Sequence, residues 1–123
     1  MFLGGTETTS TTIEWAMAEL VKNPKIMKKA QDEVRKVVGT KLIVHKIGIH
    51  QMEYLKCIIK ETLRLYPSIP MYIPRVSYTC TKVNTYDIHA NTTVLINPWK
   101  IQRNFKVWDN TDDFNISERF SNN

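Results

Sequence analysis

Apolar residues recur at helical spacing in three stretches of this chain. Ile13, Ala16, Met17, Leu20 and Val21 keep the i, i+3, i+4 rhythm, which predicts a helix over 4–21. Asn23-Pro24 reads as an N-cap with proline in the first helical position. Ile26, Met27, Ala30, Val34, Val37 and Val38 follow as the stripe of a second helix, which Gly39 ends. After a connector over 40–51 with a short apolar patch, Leu55, Ile58, Ile59, Thr62, Leu63 and Tyr66 form a third stripe. Pro67 closes it, because proline disfavours helical dihedrals in the residue before it. Pro67, Pro70 and Pro74 then punctuate an extended segment, and 75–80 and 92–96 read as short strands around a polar, turn-prone stretch at 84–87. Asn97-Pro98 opens a short helical or turn segment through Arg103, and the chain from Asp109 onward reads as irregular. The expected class is mainly α with a small antiparallel β-sheet, in one domain without repeats or linkers.

The first helix opens on poor helix formers, Gly4-Gly5-Thr6-Glu7-Thr8-Thr9. A frayed terminus is one explanation. The other is geometric: a threonine within a helix turns its hydroxyl to the carbonyl four residues back and loosens the backbone bond there. From Thr8 that carbonyl is Gly4's, and the glycines leave the space beside it empty. A bulge, a polar notch and the Glu7 carboxylate together suit proton delivery to a bound small molecule.

Glu61 and Arg64 stand three residues apart on the third helix, roughly 60° from each other at about 100° per residue. The wheel puts them opposite the apolar stripe, beside Lys56 and Lys60. Read that way they are a solvated pair worth about 0.2–0.5 kcal/mol.

Composition narrows the function classes more than it names one. The chain has 123 residues, 42% hydrophobic and 24% charged, and a formal net charge of +5, as an ordinary globular domain would. Much of the excess charge lies over 22–46, at Lys22, Lys25, Lys28, Lys29, Arg35, Lys36, Lys41 and Lys46. That block is either a solvated helix face or a docking surface for an acidic partner. No nucleic-acid motif accompanies it. Cys57 and Cys80 fit no zinc or redox spacing and read as free thiols, and His45, His50 and His89 are scattered singly. No metal cluster, nucleophile triad, signal peptide or membrane-length apolar run is present in the sequence.

In order along the chain, these elements resemble the cytochrome P450 family, the haem-thiolate monooxygenases, and in particular its plant microsomal members. Gly4-Gly5-Thr6-Glu7-Thr8-Thr9 is similar to the family's A/G-G-x-D/E-T-T/S motif, and Glu61-Thr62-Leu63-Arg64 to its ExxR motif. Pro74-Arg75 follows, and 99–120 is similar to the stretch leading to P-E-R-F, here Ser117-Glu118-Arg119-Phe120. The resemblance implies that Thr8 and Glu7 are catalytic, Thr8 bonding the bound dioxygen and Glu7 helping to supply protons. It implies that Gly4, Gly5 and Arg75 border the cofactor, with Arg75 on a haem propionate. It implies that Glu61, Arg64 and Arg119 join in a buried structural triad.

It also implies a haem cofactor, electrons from NADPH through a flavoprotein reductase, a small organic substrate, and a home on the cytosolic face of the endoplasmic reticulum membrane. Secondary metabolism in a plant is the expected setting. The family's haem loop, F-x-x-G-x-R-x-C-x-G, is not found in 1–123, so no axial cysteine and no metal ligand are assigned. Ser117 replaces the motif's proline, one extra residue separates Phe114 from Glu118, and Lys100 and Asn104 replace a usual small residue and aspartate. The expectation is a single incomplete domain, an internal segment of a catalytic domain, inactive as an isolated chain. The rival is a non-catalytic helical interaction module that uses the basic block at 22–46.

Overall fold

The computed structural model describes residues 2–39, 46–116 and 120. Five helices carry it: α1 (Phe2–Lys22), α2 (Pro24–Val38), α3 (Lys46–His50), α4 (Glu53–Leu65) and α5 (Pro98–Gln102). Four short strands form two separate antiparallel pairs. β1 (Arg75–Val76) runs beside β4 (Thr93–Val94), and β2 (Thr81–Val83) beside β3 (Tyr86–Ile88). The second pair is a tight hairpin around Asn84-Thr85. Asn84 has φ 53°, a left-handed conformation that asparagine tolerates well. The sequence reading placed a turn there but missed this hairpin, because its strands are only three residues long and exposed.

The helices α1, α2 and α4 pack on one another, and α5 packs on α4. Leu20, Ala30, Ile58 and Ile116 form the core, with Ile26, Met27, Leu55 and Phe114 against it. Gly39 ends α2 as the sequence predicts. Its φ of 59° suits a residue without a β-carbon, and its N–H returns 2.8 Å to the Arg35 carbonyl.

Asn23 does not cap α2 with its side chain. Its Nδ2 instead donates 2.9 Å to the Glu19 carbonyl, so it satisfies the end of α1 rather than the start of α2. The N-terminus of α4 is also without a local cap. There Glu33 of α2 accepts from the N–H groups of Tyr54 and Leu55 at 2.8 and 2.9 Å. A carboxylate at that position satisfies two orphan donors and meets the positive end of the helix dipole.

The wheel reading of α4 is corrected. Ile58, Thr62 and Leu65 are buried, and so are Glu61 and Arg64; Ile59 and Leu63 of the supposed inner stripe are 42% and 38% exposed. On α1, Leu20 is buried while Ile13, Met17 and Val21 remain exposed.

Candidate active-site segment

At the start of α1 the side chains bond back along the helix. Thr8 Oγ donates 2.7 Å to the Gly4 carbonyl, Thr9 Oγ 2.9 Å to that of Gly5, and Thr12 Oγ 2.8 Å to that of Thr8. The bond expected for Thr8 is present, and α1 remains a continuous helix through it rather than breaking into a bulge. A β-carbon placed on Gly4 or Gly5 would meet no other atom within 4 Å. The glycines therefore face open space, not a packed neighbour.

Two hollows meet at this turn. A groove of about 440 Å³ lies between α1 and α4, with Thr8, Thr9, Thr12, Ile13, Ile59 and Leu63 among its walls. The exposed apolar residues of α4 that upset the wheel are its floor. A smaller hollow of about 260 Å³ adjoins Gly4, Glu7, Thr8 and Thr11. Ser68 lines both. Glu7 and Thr8 thus border the same polar notch, and Thr8 borders the apolar groove as well.

Glu61 and Arg64 lie on the inner side of α4. Arg64 donates from Nε to Glu61 Oε2 at 2.8 Å and from Nη2 to Glu61 Oε1 at 2.9 Å. Its other N–H groups reach the carbonyls of Gln102, Thr111 and Asp113 at 3.0, 2.7 and 3.2 Å. All five guanidinium donors are thereby used. Glu61 Oε1 also accepts from the Asn115 N–H at 3.1 Å. The pair ties the irregular stretch after α5 to α4. Arg119, the third member of the expected triad, lies outside the described residues.

Arg75 stands at the start of β1, paired through its backbone with Val94 and exposed. Among the described residues its side chain makes no ion pair or hydrogen bond. Cys57 donates 3.5 Å to the Phe120 carbonyl and packs against the core, and Cys80 is exposed beside the β2–β3 hairpin. Neither lines the groove at Thr8. Among the described residues no group of three metal-ligating side chains occurs, and no helix is long and apolar enough to cross a membrane.

The sequence reading missed one cluster altogether. Tyr66, just past α4, donates 2.7 Å to Glu19 Oε1 and stacks on Trp15 with ring centroids 4.1 Å apart. Glu19 is buried, and Asn23 and Lys22 also bond its carboxylate. Tyr66 counted only as apolar in the stripe, and nothing in a helical period marks a phenol that bonds across to another helix.

A mainly helical chain with small antiparallel sheets, a glycine-threonine turn above an apolar groove and a buried acid–arginine pair defines a class of protein, and the comparisons agree on it. The family model for cytochrome P450 matches residues 1–123, and the chain belongs to that family. It is 54% identical over its whole length to cytochrome P450 71A1 of Persea americana, and 51% identical over 98% of its length to desmethylyatein synthase of Sinopodophyllum hexandrum. In both cases it spans 24% of the relative's length. A zebra fish cytochrome P450 solved with progesterone superposes with a TM-score of 0.92 at 32% identity, over 98% of this chain and 28% of that one.

Proposed function

We propose that residues 1–123 serve a haem-dependent monooxygenase as the segment that manages protons beside the cofactor and braces the core behind it. The observation that carries this is the Thr8 hydroxyl held on the Gly4 carbonyl where the polar notch of Glu7 meets an apolar groove. The residues present fit one wall of a haem site. Gly4 and Gly5 leave room, Ile13, Ile59 and Leu63 offer an apolar surface, and the exposed Arg75 guanidinium is available for a propionate through a charge-assisted bond. Neither Cys57 nor Cys80 lines the groove, so neither would supply a thiolate to a group held there.

Bound haem would supply dioxygen activation, one oxygen atom entering an organic substrate and the other leaving as water, with two electrons from NADPH through a flavoprotein reductase. The chain's own contribution is narrower. Thr8 presents a hydroxyl that is bonded to the Gly4 carbonyl at the edge of the notch. Glu7, in the notch beside it, holds and releases a proton toward that hydroxyl. Glu61 and Arg64 keep the stretch after α5 in register with α4. The relatives' names include two synthases and a hydroxylase, all from plants, which favours a small organic plant metabolite as substrate. Membership of this family favours attachment of the whole protein to the endoplasmic reticulum. The isolated chain is expected to be inactive. The interaction-module reading has no observation of its own, and within the basic block Lys29 is committed to the Tyr54 ring, 4.2 Å from its centroid.

The test is a chimera in which residues 1–123 replace the matching stretch of the Persea americana relative. A reduced carbon-monoxide difference band of the thiolate type, with reductase-dependent turnover that Thr8→Ala uncouples, is the expected result. A chimera that folds yet takes up no haem sinks the reading.

A further inference from the structure

Ser68 is absorbed by none of the roles above, yet it bonds to the turn that carries Thr8. It follows Pro67 in the loop after α4, and its Oγ lies 3.0 Å from Thr12 Oγ and donates to the Thr8 carbonyl at 3.3 Å. These contacts span 56 and 60 residues of sequence. Thr12 Oγ is itself 2.8 Å from the Thr8 carbonyl, so three oxygens form a triangle. Two hydroxyl protons cannot serve three edges at once. Three arrangements bond both hydroxyls: both donate to the Thr8 carbonyl, or Thr12 donates to the carbonyl while Ser68 donates to Thr12, or Ser68 donates to the carbonyl while Thr12 donates to Ser68. Each arrangement keeps the Thr8 carbonyl bonded and keeps α1 joined to the loop.

The need for an outside tie follows from α1 itself. Hydroxyls from Thr8, Thr9 and Thr12 draw on the carbonyls of Gly4, Gly5 and Thr8, and such back-bonding weakens the helix bonds those carbonyls share. Two glycines in the same turn add conformational freedom. A helix loosened at three carbonyls does not by itself fix where the Thr8 hydroxyl points.

We propose that Ser68 is a positioning residue for Thr8, clamping the loosened turn of α1 to the loop after α4 through a hydroxyl shared with Thr12 and the Thr8 carbonyl. This rests on the haem monooxygenase reading. A misplaced Thr8 hydroxyl delivers protons poorly, so two electrons and two protons leave with dioxygen as hydrogen peroxide instead of supporting substrate oxidation. Ser68 acts on coupling, not on substrate affinity.

The experiment uses the chimera carrying residues 1–123, with Ser68→Ala and Ser68→Thr. Three quantities are read: amide hydrogen exchange over residues 5–12, peroxide formed per NADPH consumed, and the substrate-induced spectral Kd. Ser68→Ala should speed exchange about fivefold, the worth of one hydrogen bond. It should raise the peroxide fraction and leave the Kd unchanged, and Ser68→Thr, which keeps the hydroxyl, should restore both altered values. Unchanged exchange in Ser68→Ala overturns the clamp. Faster exchange with unaltered peroxide overturns the positioning role. A Ser68→Thr as impaired as Ser68→Ala shows that shape rather than the hydroxyl matters, and overturns it too. A chimera without haem would defeat the monooxygenase reading and the positioning role that rests on it, while exchange still reports whether the clamp exists.

Discussion

Arg64 holds Glu61 in a two-point grip, at 2.8 and 2.9 Å, with the two side chains only 3% and 0% exposed. Breaking a buried pair by deleting one partner leaves a charge without its counterion and typically costs about 3–5 kcal/mol. Arg64 would keep three backbone carbonyls after Glu61→Ala, but none of them carries a full charge. The Asn115 N–H would lose its acceptor as well. Denaturant unfolding of the chimera should therefore show a loss of that size. A loss under about 1 kcal/mol, the worth of an exposed pair, would contradict the burial.

The long helices α1, α2 and α4 were legible in the sequence, because their period survives even where the assignment of faces fails; α3, five residues inside the expected connector over 40–51, was not. Faces were not. On α4 the wheel sent Glu61 and Arg64 to solvent, since apolar side chains outnumbered them on the other side. Backbone carbonyls at Gln102, Thr111 and Asp113 receive Arg64, and the Asn115 N–H meets Glu61; backbone groups leave no trace in residue type. The resemblance did anticipate their burial. The Thr8 bond to Gly4 could be derived, because it is local and set by helix geometry alone. The contacts from Glu33 to α4, Tyr66 to Glu19 and Ser68 to Thr12 are tertiary, 21, 47 and 56 residues apart, and no periodic pattern reports them.

Glu33 should behave as the N-cap that α4 lacks. Its two oxygens take the N–H groups of Tyr54 and Leu55, and Met52, at the cap position, offers no side-chain bond. Loss of a capping side chain costs about 0.5–2 kcal/mol. Glu33→Ala should lower stability within that range, while Glu33→Gln, which keeps one acceptor, should lose less. Thermal unfolding of the two variants decides this, and equal losses would mean that the acceptor is not what matters.

Tyr66 gives the fold a dependence on alkaline pH. Burial first, then its hydrogen bond to Glu19, holds the phenol above its ordinary value of 10.0. In the fold Tyr66 keeps its proton where the unfolded chain has lost it. Its contribution is therefore whole below about pH 10 and declines as the pH climbs through the raised value. Tyr54 is raised too, chiefly by burial, so the decline has two sources. Tyr66→Phe should be less stable near neutral pH yet show a shallower decline above about pH 10. Melting temperatures across that range test it, and parallel curves would remove Tyr66 as a cause.

If α2 meets a reductase, Lys25 and Lys28 are the residues to reverse. Both are exposed, whereas Lys29 sits over the Tyr54 ring and its loss would disturb packing. Lys25→Glu with Lys28→Glu in the chimera should slow electron transfer most at low salt, since screening over a Debye length of about 10 Å at 0.1 M weakens such steering. Stopped-flow reduction at two ionic strengths reads this directly. A defect of equal size at both would assign the effect to folding.

The chain of 123 residues by itself should neither catalyse monooxygenation nor bind haem through a thiolate. Its two thiols are in the wrong places. Cys57 is bonded to the Phe120 carbonyl on the core side of α4, and Cys80 stands beside the β2–β3 hairpin, while the groove at Thr8 is lined by hydroxyls and hydrocarbon. On the proposed reading Thr8 and Glu7 would direct protons only toward oxygen that is already bound, and Arg75 would offer at most one charged contact. Ile13, Met17, Val21, Ile59 and Leu63 are exposed on α1 and α4, so the isolated chain should also associate through apolar surface. Haemin added to the purified chain should give a reduced carbon-monoxide difference spectrum with no thiolate-type Soret band. A band typical of histidine ligation would be compatible, because His50 and His89 are both exposed. A thiolate-type band that disappears in Cys57→Ala or Cys80→Ala would overturn the prediction and identify the ligand.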